Sequence, residues 1–590
     1  MTLKGNYSEN IKLVNSLVAG QPSGTDSSPN PSQSPDQQPI LRLSEGYIPC
    51  PSELEKNESF SLGSFKTKKT LFLSLLSALF TLSLVFTARH INKNFKATSD
   101  ISSKEPINVI LMISDGFGPA SQTMARQFKQ KIFNLPVSWK SPLDDILVGS
   151  SRTQSSSSLI TDSAAGATAF SCGIKSYNGA IAVDDIKRPC GTLLEAAKLK
   201  GMKTGLVATS RITHATPGSF SSHVVNRDME DLIAEYQIGN YSLGRVVDLM
   251  LGGGKCHFLP STVQGSCRAD TRDLLLEAKQ NGFSLINSLS DIKQTSNSEQ
   301  QLPLLGLFSS SHMNYEIDRD TSNEPSLSEM SEKALELLSK SSKASGKGFF
   351  LMIEGSRIDM AAHSNDPSAH VRDILEYWES IDVVRKFIDK NPNTLLISVS
   401  DHETGGVSVA RQLGTEYPEY LWKPHVINRV KRSNEFISGK LLNFIPSNNT
   451  QDDPAIQKQN FVKNIVLDSW MGVEDYTTSE FESLLYTNKS EVLRQSLSDI
   501  VSKRAQVGWA THGHSAVDVN LYAYGHNSHK LHGNVENTDI GSFISSVLNL
   551  NLNDVTKKLS RDRVEQKTAF KAGEWLGKRD LDAKEHNPFS

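Results

Sequence analysis

A serine placed directly behind an aspartate, Asp162-Ser163, opens the small-residue run Ala164-Ala165-Gly166-Ala167-Thr168. Such residues wind into a helix with little side-chain entropy to lose. Ser163 then falls in a first turn, where free N–H groups and the helix dipole favour an anion. The competing reading is a plain N-cap, in which Asp162 or Ser163 only satisfies a helix end. A serine hydroxyl is a weak nucleophile near neutrality and needs a base or a metal, and no base stands beside it in the sequence. Metal-ligating residue types occur elsewhere. Glu354, Asp359 and His363 are spaced so that Asp359 and His363 fall at i and i+4, adjacent on one turn of a helix. Asp401-His402 offers a second nitrogen–oxygen pair, Asp115 a further carboxylate, and Thr511-His512-Gly513-His514 a late imidazole. Histidine with carboxylate suits zinc, whereas carboxylates with a hydroxyl suit magnesium. Each pair alone is ordinary on a surface helix.

What gives the pairs weight is where they sit. Val109–Ile113, Thr204–Thr209, Phe349–Ile353 and Leu395–Ser400 are continuous apolar runs. Such runs suit strands buried on both faces, as in a parallel sheet. They lead respectively into Asp115, into Arg211 to Thr216, into Glu354 to Asp359, and into Asp401-His402-Glu403. Helical patterns lie between them, at Thr192–Leu199 before Gly201 and at Val371–Ile388, and Val519–Tyr524 reads as a later strand. The expectation is an α/β domain with a central, mostly parallel sheet flanked by helices. Its ligands would bind at the carboxyl ends of the strands, and every polar cluster stands at that end.

The set Asp115-Gly116, Asp162-Ser163-Ala164, His214-Ala215-Thr216-Pro217, Arg227, Glu354 to His363, Asp401 to Gly406 and His514 resembles the alkaline phosphatase family. It does so in residue type, order and spacing, from about Asn108 to Gly525. The resemblance implies hydrolysis of phosphate monoesters through a phosphoserine on Ser163, with two zinc ions and one magnesium ion. It implies one zinc on Asp359, His363 and His514, and a second on Asp115, Asp401 and His402. Magnesium would take Asp115, Thr216 and Glu354, Asp162 is expected as a further metal contact, and Arg227 would grip phosphoryl oxygens with its planar fork. A homodimer is also implied. Met360 departs from the family pattern, in which Lys or His often follows the zinc-binding aspartate. His214 stands where some relatives carry Asp, and it either tunes the metal through a ligand or is a plain polar residue at a strand end. His514 is preferred to His512 as the ligand because Asp518-Val519 follows at the family's spacing. A related phosphodiesterase or sulfatase, and a catalytically dead binding protein, are the rival readings.

The rest of the chain bounds its setting. At 590 residues with a net charge of −3, it gives no sign of a nucleic-acid partner. Residues 1–65, rich in Ser, Pro, Gln and Asn, read as a disordered cytosolic tail. Within residues 66–90, the uncharged stretch of 18 residues from Leu71 to Ala88 reads as one transmembrane signal-anchor helix. Cationic flanks on its two sides nearly balance, so the type II orientation rests on the tail and on Asn-x-Ser/Thr acceptors at Asn240, Asn448 and Asn488. Of the five cysteines, Cys172, Cys190, Cys256 and Cys267 follow the span, which suits an oxidising lumen. Three pairings are open to them, with the short loop Cys256–Cys267 preferred. Glu9 to Val14 resembles an acidic dileucine-type signal for a sorting adaptor. With the anchor, the chain resembles the fungal vacuolar, type II membrane branch of the family, its catalytic domain in the lumen. That domain is expected over residues 105–550, with a polar, irregular lobe inserted at about 413–502 over the site. Residues 551–590 are expected to be a charged, solvated tail.

Overall fold

The strands form because apolar residues run unbroken, and they pair in parallel because helices can then cover both faces. The computed structural model describes residues 106–295, 301–448 and 452–561. In chain order the first strands are β1 (Asn108–Ile113), β2 (Leu147–Arg152), β3 (Lys203–Arg211) and β4 (Leu249–Gly253). They are followed by β5 (Ser284–Ile286), β6 (Leu304–Leu307), β7 (Phe349–Glu354) and β8 (Thr394–Val399). The short β9 (Glu403–Thr404), β10 (Ser408–Val409), β11 (Val507–Gly508) and β12 (His514–Ser515) come next, then β13 (Val519–Gly525) and β14 (Gly533–Glu536). Ten of these make one sheet in the order β14-β2-β13-β8-β1-β7-β3-β4-β6-β5. All neighbours are parallel except β13, which runs antiparallel to β2 and β8. The sheet is thus mostly parallel, as its apolar runs require.

Alternate residues of the central strands feed two separate cores. Val109, Leu111 and Ile113 of β1 pack on one face with Phe350 and Met352. Ile110 and Met112 pack on the other with Leu351, Ile353 and Trp378. Thr192 caps the helix Leu193–Leu199: its side chain accepts from Glu195 N, and Glu195 accepts from Thr192 N. The helix pattern at Val371–Ile388 lies within the longer helix Pro367–Lys390, where Asp366 caps the start.

The inserted segment differs from the irregular lobe expected of it. It holds helices at Pro424–Arg429, Asn434–Leu442, Pro454–Asn460, Phe461–Met471, Thr478–Tyr486 and Ser490–Ala505. Val462, Val466, Leu467, Leu484, Leu493 and Leu497 give it a core of its own. Its polar residues masked sparse apolar positions at helical spacing. The antiparallel pair β10–β11 closes its neck.

The charged C-terminal segment also begins differently. Leu552–Arg561 is a helix, and its Val555 packs against Ala196. Only one stripe of this helix is apolar, which the density of charge obscured. The remainder of that segment lies outside the described residues, as do the expected tail, the transmembrane helix and the dileucine-type motif. Among the described residues no helix is long and apolar enough to cross a membrane. Cys172 pairs with Cys190 and Cys256 with Cys267, at Cα separations of 6.0 and 4.9 Å. Asn240, Asn448 and Asn488 are exposed.

The Thr192 hydroxyl also donates to Phe220 O, tying the capped helix to the next layer. Thr192→Ala is expected to lower stability by about 0.5–2 kcal/mol, the usual range for a lost cap, with denaturant titration as the measurement.

Candidate active site

The carboxyl ends of β8, β1, β7 and β3 are adjacent in the sheet and lie at one level, since Ile113 pairs with both Glu354 and Val399. Asp115 follows β1, Glu354 ends β7, and Asp401-His402 follow β8. Thr216 lies in the helix Ala215–Ser221 beyond β3. Asp359 and His363 lie on the helix Arg357–His363 after β7. His514 arrives last, on β12, which pairs antiparallel with β9.

Ser163 opens the helix Ser163–Cys172, and Asp162 is its N-cap, accepting from Ala165 N at 3.0 Å. The capping role falls to Asp162 and leaves the Ser163 hydroxyl free of it. Ser163 Oγ lies 3.0 Å from His402 Nε2 and 3.4 Å from Asp115 Oδ1. The helix can approach this closely because Gly166 faces Asp401. A Cβ at Gly166 would stand 2.9 Å from Asp401 Cβ.

Among the described residues, three groups could hold cations. Asp359, His363 and His514 place ligand atoms within 4.8 Å of one another, and so do Asp115, Asp359 and His402. Asp401 Oδ2 is 3.3 Å from His402 Nε2, alongside the second group. The third, Cys256 with His257 and Cys267, has its sulfurs committed to each other. The hydrogen bonds orient the imidazoles. His363 Nδ1 contacts the His512 carbonyl, and His514 Nδ1 contacts the Thr161 carbonyl at 2.7 Å. His402 Nδ1 lies 3.2 Å from Thr404 Oγ1, which itself donates to Asp359 Oδ1 at 2.5 Å. With the Nδ1 atoms so engaged, the Nε2 lone pairs are left for a metal. His512 stays outside the ligand groups and buttresses His363, accepting at its carbonyl and approaching His363 O through Nδ1 at 2.7 Å.

Asp162 departs from the metal contact expected of it. One oxygen caps the helix, and the other accepts from Gly179 N and from Arg227 Nη1, both at 3.0 Å. The Asp162 carboxylate is thus spent on holding Arg227. His214 Nε2 lies 3.1 Å from Arg227 Nη2, so His214 also bears on the arginine. Burial would lower the Arg227 pKa, but Asp162 outweighs it and raises it.

Two residues escaped sequence reading. Thr404 joins two expected ligands, and it was visible only as part of a motif. Arg357 is buried, pairs with Glu435 of the lobe at 3.1 Å and stacks over Tyr315 at 3.6 Å. Its Nη1 lies 3.0 Å from Met360 Sδ. Met360 thus lines the cavity as an apolar neighbour of a cation, and the sequence carried no signal of that partnership.

The electrostatics call for positive charge. Burial, joined by Asp359 and Glu354, raises Asp401 to about 8. Burial likewise lifts Glu354 to about 7, and with the neighbouring carboxylates it holds Asp115 well above the usual range. Burial keeps His514 near about 4 and His402 well below its ordinary value, so both are neutral ligands near pH 7. Asp115 Oδ2, Asp401 Oδ2, Glu354 Oε1 and Thr216 Oγ1 are buried with no well-formed hydrogen bond. Unpartnered oxygens among clustered acids fit divalent cations, which supply the missing charge and contacts. The donor set therefore fits divalent cations.

This is the layout of a metal-dependent hydrolase on an α/β sheet. Over residues 107–550 the sequence matches the family described as alkaline phosphatase. It is 50% identical over 462 residues to an alkaline phosphatase of Schizosaccharomyces pombe, covering 78% of this chain and 84% of that one. It is 47% identical over 475 residues to the repressible alkaline phosphatase of Saccharomyces cerevisiae, covering 77% and 83%. The cold-active alkaline phosphatase of a Shewanella species superposes with a TM-score of 0.63 at 31% identity, over 75% of this chain and all of that one. The chain belongs to the alkaline phosphatase family, metal-dependent enzymes that hydrolyse phosphate monoesters.

Metal removal has a consequence for stability. The folded, metal-stripped chain keeps protons on Glu354 and Asp401 up to about 7 and about 8, which the unfolded chain releases near about pH 4. A folded state that binds more protons than the unfolded one loses stability as pH rises. His402 and His514, neutral when buried, act in the opposite sense, but only below about pH 6.5. The Tm of stripped protein is therefore expected to fall between about pH 6.5 and 8, and zinc with magnesium to abolish the fall. A thermal scan across that range is the check, and a level Tm without metal would contradict this account.

Proposed function

We propose that the chain hydrolyses phosphate monoesters through a phosphoserine on Ser163, at a site taking two zinc ions and one magnesium ion. The observation that carries this reading is Ser163 at a helix start, with Oγ 3.0 Å from His402 Nε2 and Arg227 lining the same cavity. Asp359, His363 and His514 would hold one zinc; Asp115, Asp401 and His402 would hold the other. Thr216 and Glu354, with the shared Asp115, offer the all-oxygen set that magnesium prefers. When bound, the cations supply Lewis-acid charge that offsets negative charge gathering on the phosphoryl and ester oxygens.

The chain's own residues supply the geometry. Arg227, fixed by Asp162 and His214, retains further N–H donors for two phosphoryl oxygens. Ser163 Oγ attacks phosphorus in line as the ester P–O bond breaks, and the departing alcohol takes up a proton. Water then cleaves the Ser163–phosphate bond, releases inorganic phosphate and restores the hydroxyl. The ligand imidazoles must be neutral, so neutral to alkaline pH favours turnover.

The setting is part of the same proposal. Residues 66–90 would anchor the enzyme as a single-pass type II protein, its catalytic domain in a vacuole- or lysosome-like lumen and its tail offered to a sorting adaptor. The uncharged stretch from Leu71 to Ala88 supports this, as do two cysteine pairs suited to an oxidising compartment. The exposed Asn240, Asn448 and Asn488 are open to glycosylation. The family resemblance supports a homodimer.

Hydrolysis of a chromogenic phosphate monoester is expected to vanish on metal removal and return with zinc and magnesium, while the diester and sulfate analogues react far less. Ser163→Ala is expected to lower kcat by about a thousandfold or more and to abolish phosphoserine labelling. Full turnover by that variant would overturn the mechanism.

A further inference from the structure

The cavity above Ser163 exceeds what a phosphoryl group needs. It encloses about 600 Å³ and reaches from Ser163 and Arg227 to Glu435, Glu491, Arg494 and Gln495 of the lobe. With the phosphoryl end of a monoester held at Ser163, the alcohol end extends into the rest of this cavity, part of which the lobe lines. What the lobe presents there can therefore bear on selectivity among monoesters.

Three arginines line this space. Arg227 is paired with Asp162 at 3.0 Å. Arg357 is paired with Glu435 at 3.1 Å and stacked on Tyr315. Arg494 is different: it is half-buried and makes no hydrogen bond or ion pair among the described residues. Its charge is felt at Glu435, where Arg357 and then Arg494 outweigh burial and lower the carboxyl pKa. That carboxylate is nevertheless bonded to Arg357 through both oxygens. Arg494 is thus a cation facing the cavity with its donor fork unspent, and a planar fork suits an oxyanion.

We propose that Arg494 reads the leaving group, so that the enzyme favours phosphomonoesters whose alcohol part carries a second oxyanion, a carboxylate or another phosphate. The inference rests on the phosphomonoesterase reading above. The second oxyanion pairs with the Arg494 guanidinium while Ser163 engages phosphorus, in a cavity that Tyr315 and Met360 also line. Glu491 lies one turn earlier on the same helix, lines the same cavity and is exposed. It makes no ion pair with Arg494, and by itself it would favour an ammonium group instead.

The test uses the metal-loaded full chain at low ionic strength. Phosphoglycerate and glycerol phosphate form a matched pair, differing by a carboxylate against a hydroxymethyl group, and phosphoethanolamine presents the opposite charge. The kcat/KM ratio of phosphoglycerate to glycerol phosphate is expected to fall about tenfold or more in Arg494→Ala, the usual scale for a lost charged hydrogen bond. Arg494→Lys should restore part of the ratio, and added salt should erode it in the parent but not in the alanine variant. An identical ratio in parent and Arg494→Ala overturns the inference. So does a preference for phosphoethanolamine that Glu491→Gln removes. Inactivity of the parent toward all three esters would instead overturn the phosphomonoesterase reading, and this inference with it.

Discussion

Four carboxylates, those of Asp115, Glu354, Asp359 and Asp401, are buried within one site, and their mutual repulsion is the constraint on which the structure turns. Like charges taken out of water cannot all ionise unless positive charge joins them. The imidazoles beside them provide little of it: burial keeps His402 and His514 neutral, and only His363, its pKa raised by Asp359 at 3.2 Å, offers a compensating charge. Divalent cations are thus part of what makes this arrangement of acids tolerable, and the fold's task is to hold the acids together until the cations arrive.

The sheet does this by rigidity. Strand ends at β8, β1, β7 and β3 are locked at fixed spacing by ladder hydrogen bonds. Each strand is in turn clamped by apolar side chains on both faces. Ligands carried on such ends have little freedom to separate and relieve their repulsion. The serine helix then packs against this floor through Gly166, where any side chain would meet Asp401. Rigid acids below and a small-residue helix above leave Ser163 with one place to point. The lobe, with a separate core and a narrow neck, lines part of the cavity over Ser163 without carrying any of the expected metal ligands.

Much of this was legible because the residues obey local rules. The apolar runs at Val109, Phe349 and Leu395 read as doubly buried strands, and the acids behind them marked the functional edge. Asp359 and His363 share a helical turn, as their spacing requires. The disulfide loop Cys256–Cys267 was favoured on proximity alone. What escaped depends on contacts between distant segments. Arg357 looks like one more polar residue until Glu435 of the lobe is brought to it. Asp162 has the chemistry of a metal ligand, and only the approach of Arg227 and Gly179 shows its oxygens to be already engaged. The lobe hid because its few apolar residues are scattered among Asn, Gln and Pro, although they meet in one core.

The route by which His514 reaches the site has a temporal consequence. On the ligand assignment proposed above, the other positions, from Asp115 to His402, are synthesised before the lobe, whereas His514 follows it and is delivered by the pairing of β12 with β9. A chain emerging from the ribosome therefore carries an incomplete ligand set until nearly the whole catalytic domain has been translated. Metal loading at full affinity is thereby deferred to the finished molecule. Fragments truncated by a premature stop codon within the lobe would lack the His514 imidazole and, on that assignment, hold metal less tightly.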